Sequence, residues 1–470
     1  MDETLFKLDG QSISALVLGR KISPLEVLKN ALARIDEING ELLAYCTVAT
    51  DQAWAQAQSL ERRLAAGEPV GALAGVPVGI KDLIFTKGLR TTGGSIAYRE
   101  FVPEDDDIVV ERLRRADAII LGKTNVSEFG YSLTGDNPLF GVTRNPWDRS
   151  RSSGGSSAGA AAAVATGMGP IGIGSDGGGS IRVPAAFCGL FGLKPSMGTV
   201  PLYPGCRDER YPGFSGWESL EHIGPLTRTV ADAALVMSVI SGASPRDRHS
   251  FDHQDRWLSC LNDDVAGRRI GFIRQWGSAK VNAEVSGIVA AAVRNIETHL
   301  GCHVEEVSLD WDVPVRDFRT LIAMDTDLSA MRELIARSSP SVSPNITALM
   351  GMNWSGLDYT DASKSRKAVV NRMWRLMEQY DFLMLPTTTD FAPPADAAEG
   401  ITDIVRPLPT LTCVANMTGQ PAASLPAGWG SAGLPVGVQV IGRHRADHDV
   451  LALSAAFERV APWAHRWPAI

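Results

Sequence analysis

The first part of the chain places apolar residues at helical spacing. In the stretch SISALVLGRKISPLEVLKNALARIDEIN, Val27, Leu28 and Ile35 belong to a set of apolar residues that recur about every three to four positions, as on one face of a helix. Ser23-Pro24 has the composition of a helix N-cap followed by proline in the first turn. The pattern predicts that residues 1–66 are mainly helical.

After this helical part the spacing of the apolar residues changes. Short apolar runs with Gly and Pro, such as LAGVPVGIKDLI and DAIILGKTN, alternate with helical stretches such as VVERLRRA. The middle of the chain continues this order with AAAAVATGMGPIGIG, and DFLMLPTTT and LPVGVQVIG predict strands nearer its end. Helices that alternate with short buried strands are typical of an α/β protein.

Length and charge narrow the class of protein. The 470 residues would allow roughly three domains, but no linker or tandem repeat interrupts the pattern, which favours a single domain over 1–470. The formal net charge is −8 and Lys and Arg form no block, which argues against nucleic acid and anionic membranes as partners. We therefore expect a protein that acts on small molecules.

The cysteines and the N-terminal sequence indicate the compartment. The six cysteines are widely spaced and form no C-x-x-C pair, so we expect reduced thiols rather than disulfides or a zinc site. They are Cys46, Cys188, Cys206, Cys260, Cys302 and Cys413. MDETLFKLDGQSIS lacks the apolar core of a signal peptide, and no apolar run reaches the roughly 18 residues that could span a membrane. A cytoplasmic location is expected.

The most informative segment is GIGSDGGGSIRVPAAFCG. Gly177, Gly178 and Gly179 precede Ser180 between a strand-like run and a helix-like run. Glycine permits backbone conformations in which successive N–H groups converge on an anion. A serine at the end of such a turn is placed to attack a carbonyl whose oxygen the turn then holds. The alternatives are a turn shaped only by packing and a phosphate loop, although the G-x-x-x-x-G-K-[ST] pattern is absent.

A serine nucleophile requires a base, and two residues are candidates. Lys81 follows the apolar run GVPVGI, where burial would lower its pKa towards neutrality and let it accept a proton. The alternative role for Lys81 is an ion pair with Asp82. Histidine is the more usual base, and among the eight histidines His222, in ESLEHIGPL, is the candidate that stays open.

Ser156 and Ser157 lie between these segments, in RSRSSGGSSAGAAAAVA. Small hydroxyl residues in front of an Ala-rich helix commonly cap it. A hydroxyl in this position could also relay a proton between a lysine and a second serine.

The segment GGSSAGAAAAVATGMGPIGIGSDGGGSIRVPAAFCGLFGLKPS resembles the signature block of the amidase signature family, written GGSSGG…G(T/S)D…GGS(I/V)R.PA..CG..GLKP. Other segments of this chain are similar to further blocks of the family. They are GVPVGIKDL, LGKTNVSEFG, NPWD, HIGPLTRTVADAA and NMTGQPAASLPAG…GLPVGVQVIG. The resemblance runs from Ile22 to Glu458, with the signature core over 73–201. It implies an α/β fold with a large mixed central β-sheet sandwiched between layers of α-helices.

The resemblance also implies a catalytic triad. Ser180 would be the nucleophile, Ser156 a relay serine held by a non-proline cis peptide, and Lys81 the terminal base. The chain departs from the usual pattern at Ala158, which replaces a glycine, and at Ser175, which replaces a threonine. Neither departure removes a triad group.

Other positions of the signature would support this triad. The backbone N–H groups of Gly177, Gly178, Gly179 and Ser180 would line an oxyanion hole. The residues that match supporting positions of the loop are Ser157, Asp176 and Arg182. The resemblance requires no metal and no organic cofactor.

The implied activity is hydrolysis of a carboxylic amide through an acyl-enzyme, and esters or carbamates of the urethane type present the same carbonyl geometry. Segments 204–222 and 313–357 match no block of the family and are expected to shape the substrate pockets. Large apolar residues in and beside them favour a hydrophobic or aryl amide. They are Tyr203, Tyr211, Phe214, Trp217, Met324, Met331, Met350, Met352 and Trp354. Each of them could instead pack in the core.

Two other functions share these residues. The glutaminase subunit of a tRNA-dependent amidotransferase carries the same triad, and only its partners distinguish it from a stand-alone amidase. The second alternative is a catalytically silent scaffold, which the complete triad disfavours. The oligomeric state stays open, with a homodimer as one form.

Overall fold

The computed structural model describes residues 5–338, 341–395 and 411–470. Its helices are α1 Gly10–Leu18, α2 Pro24–Leu42, α3 Thr50–Ala66, α4 Ile108–Arg115, α5 Ala158–Ala165, α6 Arg182–Cys188, α7 Val230–Ile240, α8 Ala283–Leu300, α9 Val315–Asp325, α10 Leu328–Ser338, α11 Pro344–Gly351, α12 Gly356–Gln379, α13 Cys413–Thr418 and α14 Asp447–Val460. Its strands are β1 Tyr45–Val48, β2 Pro77–Lys81, β3 Ile119–Thr124, β4 Arg144–Asn145, β5 Asp148–Ser152, β6 Ile171–Ser175, β7 Phe191–Lys194, β8 Ile223–Thr227, β9 Arg269–Phe272, β10 His303–Glu306, β11 Phe382–Pro386, β12 Ala422–Trp429 and β13 Pro435–Gly442.

Eleven of these strands form one mixed sheet. Their order is β1-β3-β2-β6-β8-β7-β12-β13-β11-β9-β10, while β4 and β5 pair separately. The pairs β3–β2, β2–β6, β11–β9 and β9–β10 are parallel, and the other neighbouring pairs are antiparallel. Because β2 and β6 are parallel neighbours, the residues at their carboxyl ends lie at the same edge of the sheet.

Helices cover both faces of this sheet. Along β11, Phe382 and Met384 belong to one apolar cluster, whereas Leu383 and Leu385 belong to another. Successive side chains of a strand point to opposite faces, so the two clusters lie on opposite sides of the sheet. Full burial of both faces explains why the central strands have continuous apolar sequences rather than alternating ones. The predicted α/β architecture, a large mixed sheet between layers of helices, is confirmed.

The N-terminal part differs from the expectation in one element. Ser23 caps α2, and its hydroxyl and the Glu26 carboxylate form a capping box with the backbone of the first turn. The predicted helices are present, but Tyr45–Val48 pairs with β3 as an edge strand of the main sheet. A four-residue strand is too short to interrupt a helical pattern visibly, because its apolar residues also fit the neighbouring helices.

The segment 313–357 folds mainly as helices. It contains α9, α10 and α11 and ends at the start of α12, with residues 339–340 outside the described part of the chain. These helices pack through Leu321, Met331 and Leu349 into the apolar cluster on one side of the sheet. Within the described ranges, no helix has the length and apolar character needed to cross a membrane.

Candidate active site

Lys81 is the last residue of β2, and its side chain is completely buried. Its Nζ donates to Ser156 Oγ at 2.7 Å and to Ser175 Oγ at 2.8 Å. A third contact joins Nζ to the Ser175 carbonyl oxygen at 3.1 Å. The parallel pairing of β2 with β6 brings Ser175 to the same sheet edge. The lysine therefore contacts the predicted relay serine directly.

Asp82 does not pair with Lys81. Its Oδ2 accepts hydrogen bonds from the backbone N–H and the hydroxyl of Thr92. Burial raises the pKa of Asp82, and the positive charge that opposes this rise is that of Lys123. No ion pair joins Lys81 and Asp82 within the described residues. The ion-pair alternative considered from the sequence therefore does not describe this lysine.

Burial changes the protonation of Lys81. Removal from water lowers the pKa of Lys81 to about 8, and the carboxylates of Glu221 and Asp176 limit the fall. The cause is that an ammonium group loses its hydration inside the protein. A lysine with such a pKa is partly neutral at slightly alkaline pH and can accept a proton.

Ser156 and Ser157 join the lysine to the glycine-rich loop. The Gly155–Ser156 peptide bond is cis, as the resemblance implies. Ser157 stands at the N-cap position of α5, but its hydroxyl does not cap the helix. The Ser157 hydroxyl instead donates to the Ser175 carbonyl at 3.2 Å, and its backbone N–H donates to the Ser180 carbonyl at 3.1 Å. Ser157 thus ties the end of β6 to the serine at the end of the loop.

Glycine is required at each position of the loop before Ser180. A Cβ atom on Gly177 would lie 2.5 Å from the Trp217 ring, and one on Gly178 would lie 2.7 Å from the Phe318 ring. Gly179 has φ +133°, and a Cβ there would collide with Thr412. The three glycines let the backbone approach its neighbours closely, as a turn that surrounds an anion must.

Asp176 and Arg182 form a buried ion pair that shapes this loop. The Arg182 Nη2 lies 2.9 Å from Asp176 Oδ1, and both side chains are fully buried. Arg182 also donates to the Thr412 carbonyl at 2.8 Å. Burial opposes the charged form of Asp176, but Arg182, Lys194 and Asn416 together outweigh it and hold the pKa of Asp176 far below its usual range.

The oxyanion-hole expectation needs one correction. The Gly179 N–H donates to Asp176 Oδ1 at 2.7 Å, so it is already occupied. The N–H groups of Gly177, Gly178 and Ser180 have no acceptor within the part of the chain that the structure describes. These groups remain available to bind an oxyanion. The carboxylate of Asp176 fixes the turn by accepting the amide that the resemblance had assigned to the hole.

Two cavities meet at Ser180. The small chamber has a volume of about 50 Å³ and is lined by Ser156, Ser175, Gly177, Phe214 and Glu221 among others. The large cleft has a volume of about 600 Å³. Apolar groups dominate its walls, and they include Tyr131, Trp217, Phe318, Ile322, Leu349, Met352 and Trp354. Gly130, Ser180 and Trp217 belong to both cavities, so Ser180 lies at the boundary between them.

Four of the nine predicted pocket residues line the cavities at Ser180. Phe214 lines the small chamber, Met352 and Trp354 line the large cleft, and Trp217 lines both. The others, within the described residues, line neither cavity. They are Tyr203, Tyr211, Met324, Met331 and Met350. The two segments that match no family block therefore each contribute to the walls around Ser180.

His222 is buried next to the loop but does not line either cavity at Ser180. Its Nδ1 contacts the Leu220 carbonyl at 2.7 Å and the Asp176 carbonyl at 3.2 Å. Burial lowers the pKa of His222 well below its usual value. The structure thus gives His222 backbone partners and no contact with Ser180.

Three residues of the site had no role assigned from the sequence. Ser175 accepts a hydrogen bond from Lys81, and Glu221 lines the small chamber. The Asn416 side chain donates to Asp176 and accepts from Arg182. Glu221 directly precedes the block HIGPLTRTVADAA, and Asn416 is the first residue of NMTGQP. The only signals in the sequence for a role in the site were the polar side chains of Glu221 and Asn416 next to apolar residues.

The buried ion pair gives a prediction about stability. Asp176→Asn should lower the free energy of unfolding by about 3–5 kcal/mol, because it leaves the buried Arg182 charge without its partner. Asp263→Asn provides the control, since Asp263 pairs with Arg256 at the surface and such pairs contribute about 0–1 kcal/mol. Denaturant unfolding of both variants measures the difference. Equal losses would show that Arg182 is compensated by other groups.

Comparison with known proteins places the whole chain in one group. The family described as Amidase matches residues 26–451. An acylamidase of Rhodococcus erythropolis is 34% identical over 489 residues, which cover 100% of this chain and 98% of the relative. A glutamyl-tRNA(Gln) amidotransferase subunit of Moorella thermoacetica is 36% identical over 492 residues, which cover 99% of each chain.

Solved structures show the same similarity. A bacterial aryl acylamidase of the amidase signature enzymes superposes with a TM-score of 0.90 at 32% identity and covers 98% of both chains. A 6-aminohexanoate cyclic dimer hydrolase in complex with its substrate superposes with a TM-score of 0.88 at 27% identity, over 98% of this chain and 99% of the other. The relatives thus include enzymes with different named substrates on one fold.

Proposed function

This chain belongs to the amidase family, and we propose that within it the chain is a stand-alone amidase for amides with a bulky apolar or aryl group. Lys81, Ser156 and Ser180 are its catalytic triad in this proposal. The observation that carries the proposal is the apolar cleft of about 600 Å³ that opens at Ser180. Cavities of roughly 300–1,000 Å³ hold drug-sized ligands, which is far more room than a small polar amide needs.

The proposed reaction is acyl transfer in two halves. Ser180 Oγ attacks the amide carbonyl and its proton passes to Ser156 Oγ, while the Ser156 proton passes to Lys81 Nζ. The carbonyl oxygen becomes an oxyanion that the N–H groups of Gly177 and Gly178 bind, together with that of Ser180. The relay then returns a proton to the leaving nitrogen and the carbon–nitrogen bond breaks. Water attacks the acyl-enzyme through the same relay and releases the acid.

The two cavities suggest how a substrate divides around the scissile bond. The chamber has a volume of about 50 Å³ and the cleft one of about 600 Å³, so the chamber suits the smaller of two substituents. The large cleft offers aromatic and methionine side chains, which stack on and adapt to an aryl group. We infer a substrate with one bulky apolar substituent and one small one. Aryl esters and urethanes have the same shape and fall within this proposal.

A second function is favoured by the relatives. The amidotransferase chain of Moorella thermoacetica aligns over nearly the whole length, and its named reaction is carried out on glutamyl-tRNA. A glutaminase needs a site for a small polar amide with a charged amino acid head group. Arg316, Arg319 and Asp358 also line the cleft and offer charges for such a head group. The volume of the cleft and its aromatic and methionine side chains nevertheless suit a bulky apolar substituent better than a small polar amide. The cleft therefore supports the stand-alone amidase over the glutaminase subunit.

A substrate panel tests the two functions against each other. The purified chain, without partner proteins, is assayed on p-nitroacetanilide, phenylacetamide, ethyl N-phenylcarbamate and glutamine, with products identified by mass. We expect kcat/KM for the best aryl substrate to exceed that for glutamine by at least about tenfold, the discrimination that an apolar pocket can give. Glutamine as the best substrate, or turnover only after the partner proteins of an amidotransferase are added, would favour the second function.

A charge placed in the cleft should weaken aryl substrates selectively. Met352 lines the cleft and is 41% exposed, so Met352→Glu can fold with its carboxylate partly hydrated. We expect kcat/KM for p-nitroacetanilide to fall by about tenfold, because the aryl ring then faces a charge instead of an apolar wall.

Leu258→Glu is the matched control for this variant. Leu258 is 44% exposed and lines neither cavity at Ser180, so the kinetics should stay at the wild-type level. If both variants behave alike, the cleft does not bind the aryl group.

A further inference from the structure

Lys81 is part of a longer chain of polar groups than the triad. Its Nζ donates to Ser156 Oγ on one side and to Ser175 Oγ on the other, at 2.7 and 2.8 Å. The Ser175 hydroxyl in turn faces the Glu221 carboxylate and stabilises its charged form. Polar groups thus connect Ser156 to Glu221 through Lys81 and Ser175.

The position of Glu221 is set by the glycine-rich loop. A Cβ atom on Gly177 would lie 2.8 Å from Glu221 Oε2, so the carboxylate packs against the backbone of the loop. Glu221 lines the small chamber together with Ser156, Ser175 and Ser180. It comes two residues before β8, the antiparallel neighbour of β6, and so lies beside the end of the strand that carries Ser175.

Two carboxylates, Asp176 and Glu221, interact with Lys81, and they differ in their other partners. Asp176 is held by the guanidinium of Arg182 at 2.9 Å and accepts several backbone N–H groups. The largest favourable charge interaction of Glu221 is with Lys81, and that with Arg207 is smaller. The charged or titratable groups that face Glu221 are Lys81, Asp176, Arg207, Tyr131 and Cys206. Glu221 is therefore the carboxylate whose main counter-charge is the lysine.

We propose that Glu221, acting through Ser175, is a positioning residue that stabilises the ammonium form of Lys81 when the proton of Ser180 arrives through Ser156. The proposal rests on the assignment of Lys81 as the terminal base. No proton passes to Glu221, which stays a carboxylate throughout. The proton moves from Ser180 to Ser156 and from Ser156 to Lys81, and it returns by the same groups to the leaving nitrogen.

Glu221 interacts differently with the neutral and the protonated forms of Lys81, and this difference would lower the barrier of the reaction. While Lys81 is neutral, the half-buried carboxylate has no full counter-charge within the chamber. Once Lys81 becomes an ammonium group, the two charges attract each other where water is scarce. An interaction that is stronger in the transition state than before it raises kcat. Burial alone raises the pKa of Glu221, and the lysine charge opposes this rise.

Glu221→Gln tests the proposal through the pH dependence of the serine. The rate of labelling of Ser180 by a fluorophosphonate is measured from pH 6 to 10, together with kcat/KM on p-nitroacetanilide. In both pH profiles the rate rises from low pH, and we call this rise the acid limb. We expect it to move to lower pH by roughly one unit, because a neutral amide no longer favours the ammonium form of Lys81. The plateau of kcat should fall by about tenfold, since the same loss acts on the transition state.

Two further variants make the result specific. Ser175→Ala should move the acid limb in the same direction, and the double variant should move it no further than Glu221→Gln alone, because both changes break one path. Glu458→Gln is the control: Glu458 is also a carboxylate with a pKa raised by burial, but it accepts from Val230 in another part of the fold. Its acid limb should stay at the wild-type pH.

The outcomes separate this proposal from the proposed function. An acid limb that stays in place in both Glu221→Gln and Ser175→Ala overturns the role of Glu221, even if turnover falls. Labelling needs no knowledge of the substrate, so a shifted limb supports Glu221 whichever amide proves to be the best. Labelling at a serine other than Ser180 would instead overturn the triad. Glu221→Asp, which keeps the charge, should restore the limb to within about half a unit of the wild type.

Discussion

Ser180→Ala should reduce kcat on the best aryl amide by on the order of 10⁵-fold, because removal of a serine nucleophile abolishes the acyl-enzyme pathway. The hydroxyl lies at the boundary of two cavities and makes up little of their walls, so substrate binding should survive. Ser180 is 5% exposed, and loss of one hydroxyl there should leave the thermal midpoint within about 2 °C of the wild type.

Covalent labelling provides the direct readout of this result. A fluorophosphonate should add one adduct to the wild-type chain at Ser180, and none to Ser180→Ala. Ser238→Ala is the control, since Ser238 lies in α7 and donates to the Leu235 carbonyl, away from both cavities. An adduct that persists in Ser180→Ala would transfer the role of nucleophile to another residue.

Lys81→Arg should lose almost as much activity as Lys81→Ala, several orders of magnitude in kcat/KM. Arginine keeps its proton at any pH at which the protein is folded, so it can hold a positive charge but cannot accept the proton from Ser156. In the wild type, Lys81 carries a proton below its pKa of about 8. Activity should therefore fall about tenfold per pH unit below pH 8 and reach a plateau above it.

The contrast with histidine completes this test. His222→Ala should retain the acid limb and most of the rate, since His222 contacts backbone carbonyls and lines neither cavity at Ser180. If Lys81→Arg kept the wild-type rate and His222→Ala lost it, the lysine would be structural and His222 would be the base.

The sequence was enough to locate the groups of the site that belong to short motifs. Lys81 follows an apolar run, and that run became a buried strand whose last side chain has no access to water. Ser156 and Ser180 flank an Ala-rich helix and a strand. Both line the small chamber, and Ser156 contacts Lys81 at the end of β2. Local patterns singled out Lys81 and Ser180 because each depends on a few neighbouring residues. The relay role of Ser156 came from the resemblance to the amidase signature, since its own sequence surroundings also fit a helix cap.

Contacts between distant segments could not be obtained in this way. Nothing near Glu221 in the sequence indicates that its carboxylate interacts with Lys81, which lies at the end of β2. The hydrogen bond from the Gly179 N–H to Asp176 was missed for a related reason. The loop has four candidate N–H groups, and the Asp176 carboxylate accepts a hydrogen bond from one of them. Arg182 and Asn416 hold this carboxylate in place, and their positions depend on the complete fold.

The dependence on distant contacts also explains why the segment 313–357 was hard to predict. The segment 313–357 matches no family block, yet it forms helices whose apolar faces pack on one side of the sheet. Its polar residues interrupt the helical spacing at the turns, so the sequence showed apolar content without clear boundaries. Met331 and Met352 both belong to this segment, but Met331 is buried in the core and Met352 lines the cleft. Only tertiary packing distinguishes them.

The hydrogen bonds of Arg182 also bear on when an enzyme of this design becomes active during its synthesis. They join Arg182 to Thr412, Asn416 and Gln439, which follow it by 230, 234 and 257 positions. At about 5–20 residues per second on the ribosome, the last of these partners emerges roughly 13–50 s after Arg182. A nascent chain therefore carries Lys81, Ser156 and Ser180 well before it can fix the glycine-rich turn in front of Ser180. A premature stop before residue 412 would leave all three in the product and still yield no hydrolase.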